Sequence, residues 1–287
     1  LTGEEYDKTV TLWKEGSKAW ETDDFLSVVN DVDISSDGTY IAVVDWKNVI
    51  FFNKATNEAI WSYLHEDEIM TTVSISPDGY FIAAGTEHGK VYVYSTYDDN
   101  ISWYHDGLLD GRIIEIDFSE DSTHFVFGTE NGRVYVYESE GEDPVFMYDQ
   151  PDGVTCVSAS SNTNYYAFGT EEGLLTILDV EIEFKAWEVN IGGIVTDISF
   201  NGKGNYIVGG SNNKRLILAD VLTGEELWRT SAFGGVSGVA MSYRGENIAV
   251  GTVEGLAVYY EQQLDNQAPV ATIESITPST ALPGTPI

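Results

Sequence analysis

Basic residues are scarce in this chain. Its 287 residues hold 14 Lys and Arg against 47 Asp and Glu, a formal charge of −33. Binding a polyanion needs a basic face, so nucleic acid is excluded as a partner. There is one cysteine, Cys156, which forbids an internal disulfide and leaves the redox compartment open. No stretch approaches about eighteen uninterrupted apolar residues, so no segment reads as a membrane span. The opening LTGEEYDKTV has neither a basic n-region nor an apolar h-region, so a signal peptide has been removed or never existed. Sustained helical periodicity is also missing. What is present is apolar: 43% hydrophobic residues with 13% aromatics suffice for a core, so the acidity does not imply disorder.

The dominant signal is a repeat. Gly85, Gly128, Gly169, Gly209 and Gly251 mark its phase, separated by 43, 41, 40 and 42 residues, and Val44 takes the same slot 41 residues before Gly85. Within each unit, short runs alternate with period two and are rich in Val, Ile, Tyr and Phe, as half-buried strands are. Ser76 to Gly79 (SPDG) and Ser36 to Gly38 (SDG) carry tight-turn chemistry, because Asp bonds its own backbone and Gly accepts positive φ. Glu87 to Gly89, Glu130 to Gly132 and Glu171 to Gly173 read as second hairpin turns. A unit therefore reads strand a (TTVSIS), strand b (YFIAAGT), strand c (KVYVYS) and strand d (SWYHD). Four antiparallel strands every ~40 residues describe a propeller blade.

The units resemble WD-repeat propellers over nearly the whole chain, from about Val10 to Glu261, and SISPDGYFIAAGTEHGKVYVY is close to that family's a-b-c consensus. The Trp-Asp pair that ends strand c in the family is absent, with Asp179 and Asp220 near that point, and its Gly-His persists only as His65 and His105. The family's buried hydrogen-bond network is therefore not expected in its usual form. Thr223-Gly224-Glu225-Glu226-Leu227-Trp228 resembles the Thr-Gly-x-x-x-Trp element of quinoprotein-type propellers, with weaker echoes ending at Trp61 and Trp20. Such a tryptophan would pack between neighbouring blades. The resemblance to this broad WD-repeat and quinoprotein-like group implies an all-β propeller.

Thr9 to Trp13 and Lys18 to Glu21 match strands c and d of a blade, and the last repeat supplies a, b and c, ending at Tyr259-Tyr260. That inventory is 25 strands, and seven four-stranded blades need d, a and b in addition. The expectation is a seven-bladed ring over residues 1–263 whose first strands are missing from this chain, with six blades as the alternative. Residues 264–287 hold four of the seven prolines. They read as a Pro-rich linker or as the first strand of a truncated PKD-like or immunoglobulin-like domain.

In such a propeller strand a lines the central channel. One side of these strands carries Asp31, Asp33, Glu115, Asp117 and Asp197, and carboxylates converging there could hold a hard cation such as calcium. The competing reading makes them solvated walls, or acceptors for a neighbouring blade's backbone. No other cofactor is expected. The histidines His65, His88, His105 and His124 lack zinc spacing, and Cys156 reads as a small buried hydrophobe. No nucleophile elbow or phosphate-cradling loop is present. Tyr92, Tyr94, Tyr135 and Tyr137 share one side of strand c, as a carbohydrate-stacking platform or, more simply, as blade-to-blade filling. Asn100-Ile101-Ser102 is a glycosylation sequon. Spread acidity suits concentrated salt, where screening removes self-repulsion, and an archaeal or bacterial surface; it also suits a basic partner. The function expected is a non-catalytic interaction or structural module of a larger cell-surface or extracellular protein or assembly, with a protein partner or self-assembly. An enzyme or carbohydrate-binding propeller acting at the channel mouth is the alternative.

Overall fold

The computed structural model describes residues 8–14, 17–22, 25, 27–97, 100–107, 110–161, 164–261 and 270–272. Among them there is no helix; every element is a strand. The first sheet pairs β1 (Val10–Lys14) with β2 (Ser17–Thr22). The second holds β3 (Val29–Ile34), β4 (Tyr40–Asp45), β5 (Asn48–Asn53) and β6 (Glu58–Leu64); the third β7 (Met70–Ile75), β8 (Phe81–Thr86), β9 (Lys90–Ser95) and β10 (Ile101–Asp106). The fourth comprises β11 (Ile113–Phe118), β12 (His124–Thr129), β13 (Arg133–Glu138) and β14 (Pro144–Asp149). The fifth comprises β15 (Val154–Ala159), β16 (Tyr165–Thr170), β17 (Leu174–Asp179) and β18 (Phe184–Asn190). In the sixth stand β19 (Val195–Phe200), β20 (Tyr206–Ser211), β21 (Arg215–Asp220) and β22 (Glu226–Ser231), and in the seventh β23 (Val236–Met241), β24 (Asn247–Thr252), β25 (Ala257–Glu261) and β26 (Val270–Thr272). Each sheet is an antiparallel meander in chain order, and the inner strands β3, β7, β11, β15, β19 and β23 meet in succession. This is the all-β, seven-bladed propeller that the strand count predicts.

Two sequence expectations are corrected. The strand inventory was one short, because β26 pairs with β25 through Tyr259–Thr272, Tyr260–Ala271 and Glu261–Val270 and gives the last blade its fourth strand. Three residues behind a proline make too short a run to read as a strand. The remainder of 264–287 lies outside the described residues. The repeat marker in the sixth blade is Gly210 rather than Gly209, since Gly210 stands opposite Asp197 as Gly169 does opposite Cys156. A slip of one residue turns the side chain to the other face, so the pair Gly209-Gly210 hid the register. The spacings on either side become 41 residues each.

Six apolar clusters fill the six interfaces between consecutive blades. Between the fifth and sixth, for example, Leu175, Ile177 and Ile191 meet Val195, Ile198, Ile207 and Ile217. At the centre of four of these interfaces, from the third blade to the seventh, a side chain from strand a sits in a socket left by a glycine on strand b of the preceding blade. A Cβ on Gly128 would stand 2.4 Å from Val154, and one on Gly169 2.5 Å from Val195. Gly251 has no such occupant among the described residues, of whose atoms Ser237 Oγ, in its own blade, is the nearest at 3.2 Å. In line with this, Ala249, Ala257 and Tyr259 of the seventh blade are exposed, while their counterparts Ala83, Val91 and Val93 are fully buried.

Candidate functional site: the channel and its rims

Strand a is the inner edge of each blade, so one row of its N–H groups lacks a ladder partner. Unpaired edges invite association unless something covers them. Here the preceding blade covers them with carboxylates. Asp31 accepts from Thr72 Oγ1 (2.9 Å) and Val73 N (3.0 Å), and Asp33 from Ser74 Oγ (3.0 Å) and Ile75 N (2.9 Å). Glu115 accepts from Val157 N (2.8 Å), and Asp117 from Ala159 N (2.8 Å) and Ser158 Oγ (3.2 Å). Asp197 accepts from Val239 N (2.7 Å). The pattern alternates: blades two, four and six supply acids to blades three, five and seven.

All five acids that the sequence singled out stand on the channel strands: Asp31, Asp33, Glu115 and Asp117 line a cavity of ≈ 280 Å³, and Asp197 lines a separate one beside Gly238 and Val239. Their oxygens are engaged by the next blade's backbone and hydroxyls, as the competing reading had it. Among the described residues no group of three or more His, Cys, Asp or Glu is placed to hold a metal. Burial in this narrow channel raises every one of these carboxyls, and the interblade N–H bonds pull them partly back. Asp117 is pushed up to about 7 and Asp197 to about 6. Glu115 goes well above the ordinary range, first through burial and then through the charge of Asp197. The buried Cys156 thiol beside them is raised for the same reason and stays protonated, which makes it a poor nucleophile.

Hairpin turns between strands b and c, with the d-to-a connections, form one face of the ring, here the upper face. The a–b turns and c–d connections form the lower face. Beneath the upper rim lies a polar network that sequence reasoning missed. His65 bonds the Tyr94 hydroxyl of the next blade, and His105 Nδ1 bonds Tyr137 (2.8 Å) in the same way one blade on. Burial drops the His65 pKa to about 4, so it is neutral at pH 7. Asp110, 2% exposed, gathers the Arg133 guanidinium, Tyr135 OH (2.8 Å) and His105 Nε2 (3.2 Å). Its counterpart Glu68 holds Lys90 (2.9 Å) and His88 (3.0 Å). The four tyrosines thus fill blade interfaces, at 0–9% exposure, and offer no stacking platform to a sugar.

A second series, of which the sequence reading flagged Trp61 alone, links the blades at the lower rim. Trp61, Trp103 and Trp187, all on strand d, donate Nε1–H to the carbonyls of Thr96, Ser139 and Val221 just after strand c of the following blade. Trp228 packs between the sixth and seventh blades, as the Thr-Gly-x-x-x-Trp resemblance implied. Its expected acceptor falls at 262–264, outside the described residues. The spacing of these tryptophans was the available signal. At the lower mouth of the channel a cavity of ≈ 330 Å³ is lined by Phe118, Phe200 and Tyr243 together with Asp117, Ser161 and Asn201.

Comparison with known proteins agrees with this geometry. The family model described as "WD domain, G-beta repeat" matches residues 59–95. The matched segment runs from strand d of one blade through strand c of the next, and its two ends meet where Trp61 and His65 contact Tyr94. In fold, a chain in a crystal structure of the mitotic checkpoint complex superposes with a TM-score of 0.74 at 16% identity, covering 85% of this chain and 79% of that one. No protein of curated function matches the sequence. The resemblance to WD-repeat propellers read from the strands is thus met both by a family model and by the fold.

Proposed function

We propose that this WD-repeat-like propeller is a non-catalytic interaction scaffold, part of a larger cell-surface or extracellular protein or assembly. WD40 propellers are typically protein-interaction scaffolds, and the solved chain of like fold was crystallised within a complex. The observation that carries the reading is where reactive groups stand. Three histidines, His65, His88 and His105, and the five channel carboxylates have structural partners within or between blades, and the thiol is buried. Large side chains exposed to solvent sit instead on turns and outer strands, among them Trp46, Tyr97, Phe184, Leu222 and Phe233. A rigid ring with variable loops recognises surfaces; chemistry needs an aligned base and nucleophile.

The test pairs two assays on the purified chain. Screens against glycoside, ester and phosphoester substrates are expected to give no turnover, while a displayed peptide library yields a saturable binder. Turnover abolished by Asp117→Asn would overturn the scaffold reading. Surface location is checked by protease treatment of intact source cells, which should cleave the native protein. The second reading, a carbohydrate site, rests on the lower cavity, where aromatic rings adjoin hydroxyl, amide and carboxylate groups. A glycan array blocked by Tyr243→Ala would favour it.

A further inference from the structure

The upper face is divided. Over the second to fifth blades its exposed turns and connections carry Glu66, Asp67, Glu87, Glu130, Glu171 and Glu172, with Trp46 and Arg112 as isolated exceptions. Over the sixth and seventh blades the character changes. Here the exposed side chains include Ile194, Phe233 and Val253, at 39%, 51% and 69%, and the cations Lys214 and Arg215.

Backbone bonds weld these residues into one strip. Asn212 N donates to Ile194 O (3.0 Å), Ala232 N to Lys214 O (2.7 Å) and Val253 N to Gly235 O (2.8 Å). Arg215 lies along Gly192, two residues from Ile194. Neither Lys214 nor Arg215 forms an ion pair among the described residues, although the chain holds more than three acids for every base. The one acid on the strip, Glu254, folds its carboxylate over Gly234. In so acidic a protein, two adjacent free cations beside three exposed apolar side chains form a locally distinct surface. Exposed apolar groups of this kind mark interaction sites when polar groups rim them.

We infer that the strip over the sixth and seventh blades docks an acidic peptide segment of a partner protein, with a large apolar side chain next to its carboxylates. The apolar residue contacts Phe233, Val253 and Ile194, and the carboxylates pair with Lys214 and Arg215. A basic segment is drawn instead to the acidic sector, so charge sets the position of the partner on the ring as well as its encounter rate. This rests on the interaction-scaffold reading and adds to it the surface and the chemistry of the partner.

The test is selection of a random phage-displayed peptide library on the intact chain, followed by titration of the recovered peptides by fluorescence anisotropy. The expected peptides combine Asp or Glu with Phe, Leu or Trp, and bind more weakly as salt rises. Lys214→Glu with Arg215→Glu, or Phe233→Ser alone, should each weaken binding about tenfold or more. Glu171→Lys with Glu172→Lys should leave it within about twofold. All these positions are exposed, so an unchanged melting curve separates lost binding from lost fold. Peptides that are basic, or that bind the strip variants as well as wild type, overturn the docking site and leave the scaffold reading standing. A selection that yields no saturable binder counts against both.

Discussion

The interfaces flanking the third blade and those flanking the fifth solve one packing problem with different chemistry. Around the third blade the filling is aromatic and hydrogen-bonded: Tyr94 and Tyr137 meet His65 and His105, Trp61 and Trp103 donate to carbonyls, and Asp110 binds Arg133. Around the fifth blade the equivalent strand c positions carry Thr176 and Leu178, and the next interface is mostly Leu, Ile and Val; it keeps the Trp-to-carbonyl bond, from Trp187 to Val221, but has no His–Tyr pair among the described residues. Strand order is the same in both, and strands a, b and c are six residues long in each. The ring therefore requires volume of the right shape at each interface, and hydrogen-bonded partners are one of at least two ways to supply it. Directional bonds hold a blade at one angle to its neighbour; aliphatic packing achieves the same only through close fit.

The comparison can be broken most strongly on the aliphatic side. Ile217→Ala, at a site 1% exposed, should cost about 2–5 kcal/mol in urea unfolding, since it leaves a cavity among the aliphatic side chains of this interface. On the aromatic side Asp110→Asn should cost about 2–3 kcal/mol by the same measurement, because Arg133, Tyr135 and His105 lose a shared anionic acceptor. Arg133 is itself 39% exposed, and water screens its share of that loss. A cost near zero would mean that the network is ornamental and the ring packing alone fixes the blade.

The glycine sockets sharpen the contrast between covered and uncovered blades. Gly169→Ala forces a methyl against Val195 and Cys156 and should cost about 1–3 kcal/mol, whereas Gly251→Ala should stay within about 0.5 kcal/mol. The last effect is the pH slope of the channel. The Asp117 carboxyl is raised by burial in the fold, so its contribution to stability is complete below about pH 4 and lost as pH rises through about 7. Asp117→Asn should flatten the stability curve in that window by at most about 1.4 kcal/mol per pH unit, the limit for one proton. An unchanged slope would place the carboxyl's titration elsewhere.

Much of this architecture was legible in the sequence, because turn residues and period-two runs are local. Ser-Pro-Asp-Gly fixes its hairpin whatever surrounds it, and the Gly85, Gly128 and Gly169 series gave the period directly. What stayed hidden depends on neighbours in the next blade. His65 and Tyr94 are 29 residues apart, with no local pattern to join them. The channel acids were placed on strand a and read either as a cation site or as acceptors for a neighbouring blade's backbone; seeing the acceptor contacts required knowing that Val73, Ile75 and Val239 present N–H groups to the preceding blade. The division of the upper face was missed for another reason: whole-chain charge averages away two cations on one turn.

The place at Gly251, unfilled among the described residues, has a dynamic consequence. Sheets that contact only their immediate neighbours behave as a one-dimensional array, and an array whose two termini do not brace each other frays inward from both. Amide hydrogens in β24 and β25 should accordingly exchange with deuterium well before those in β12 and β16, although all four strands sit in similar ladders. Mass spectrometry of deuterated fragments would read that gradient directly, and a second molecule or segment seated against Ala249 and Tyr259 would abolish it.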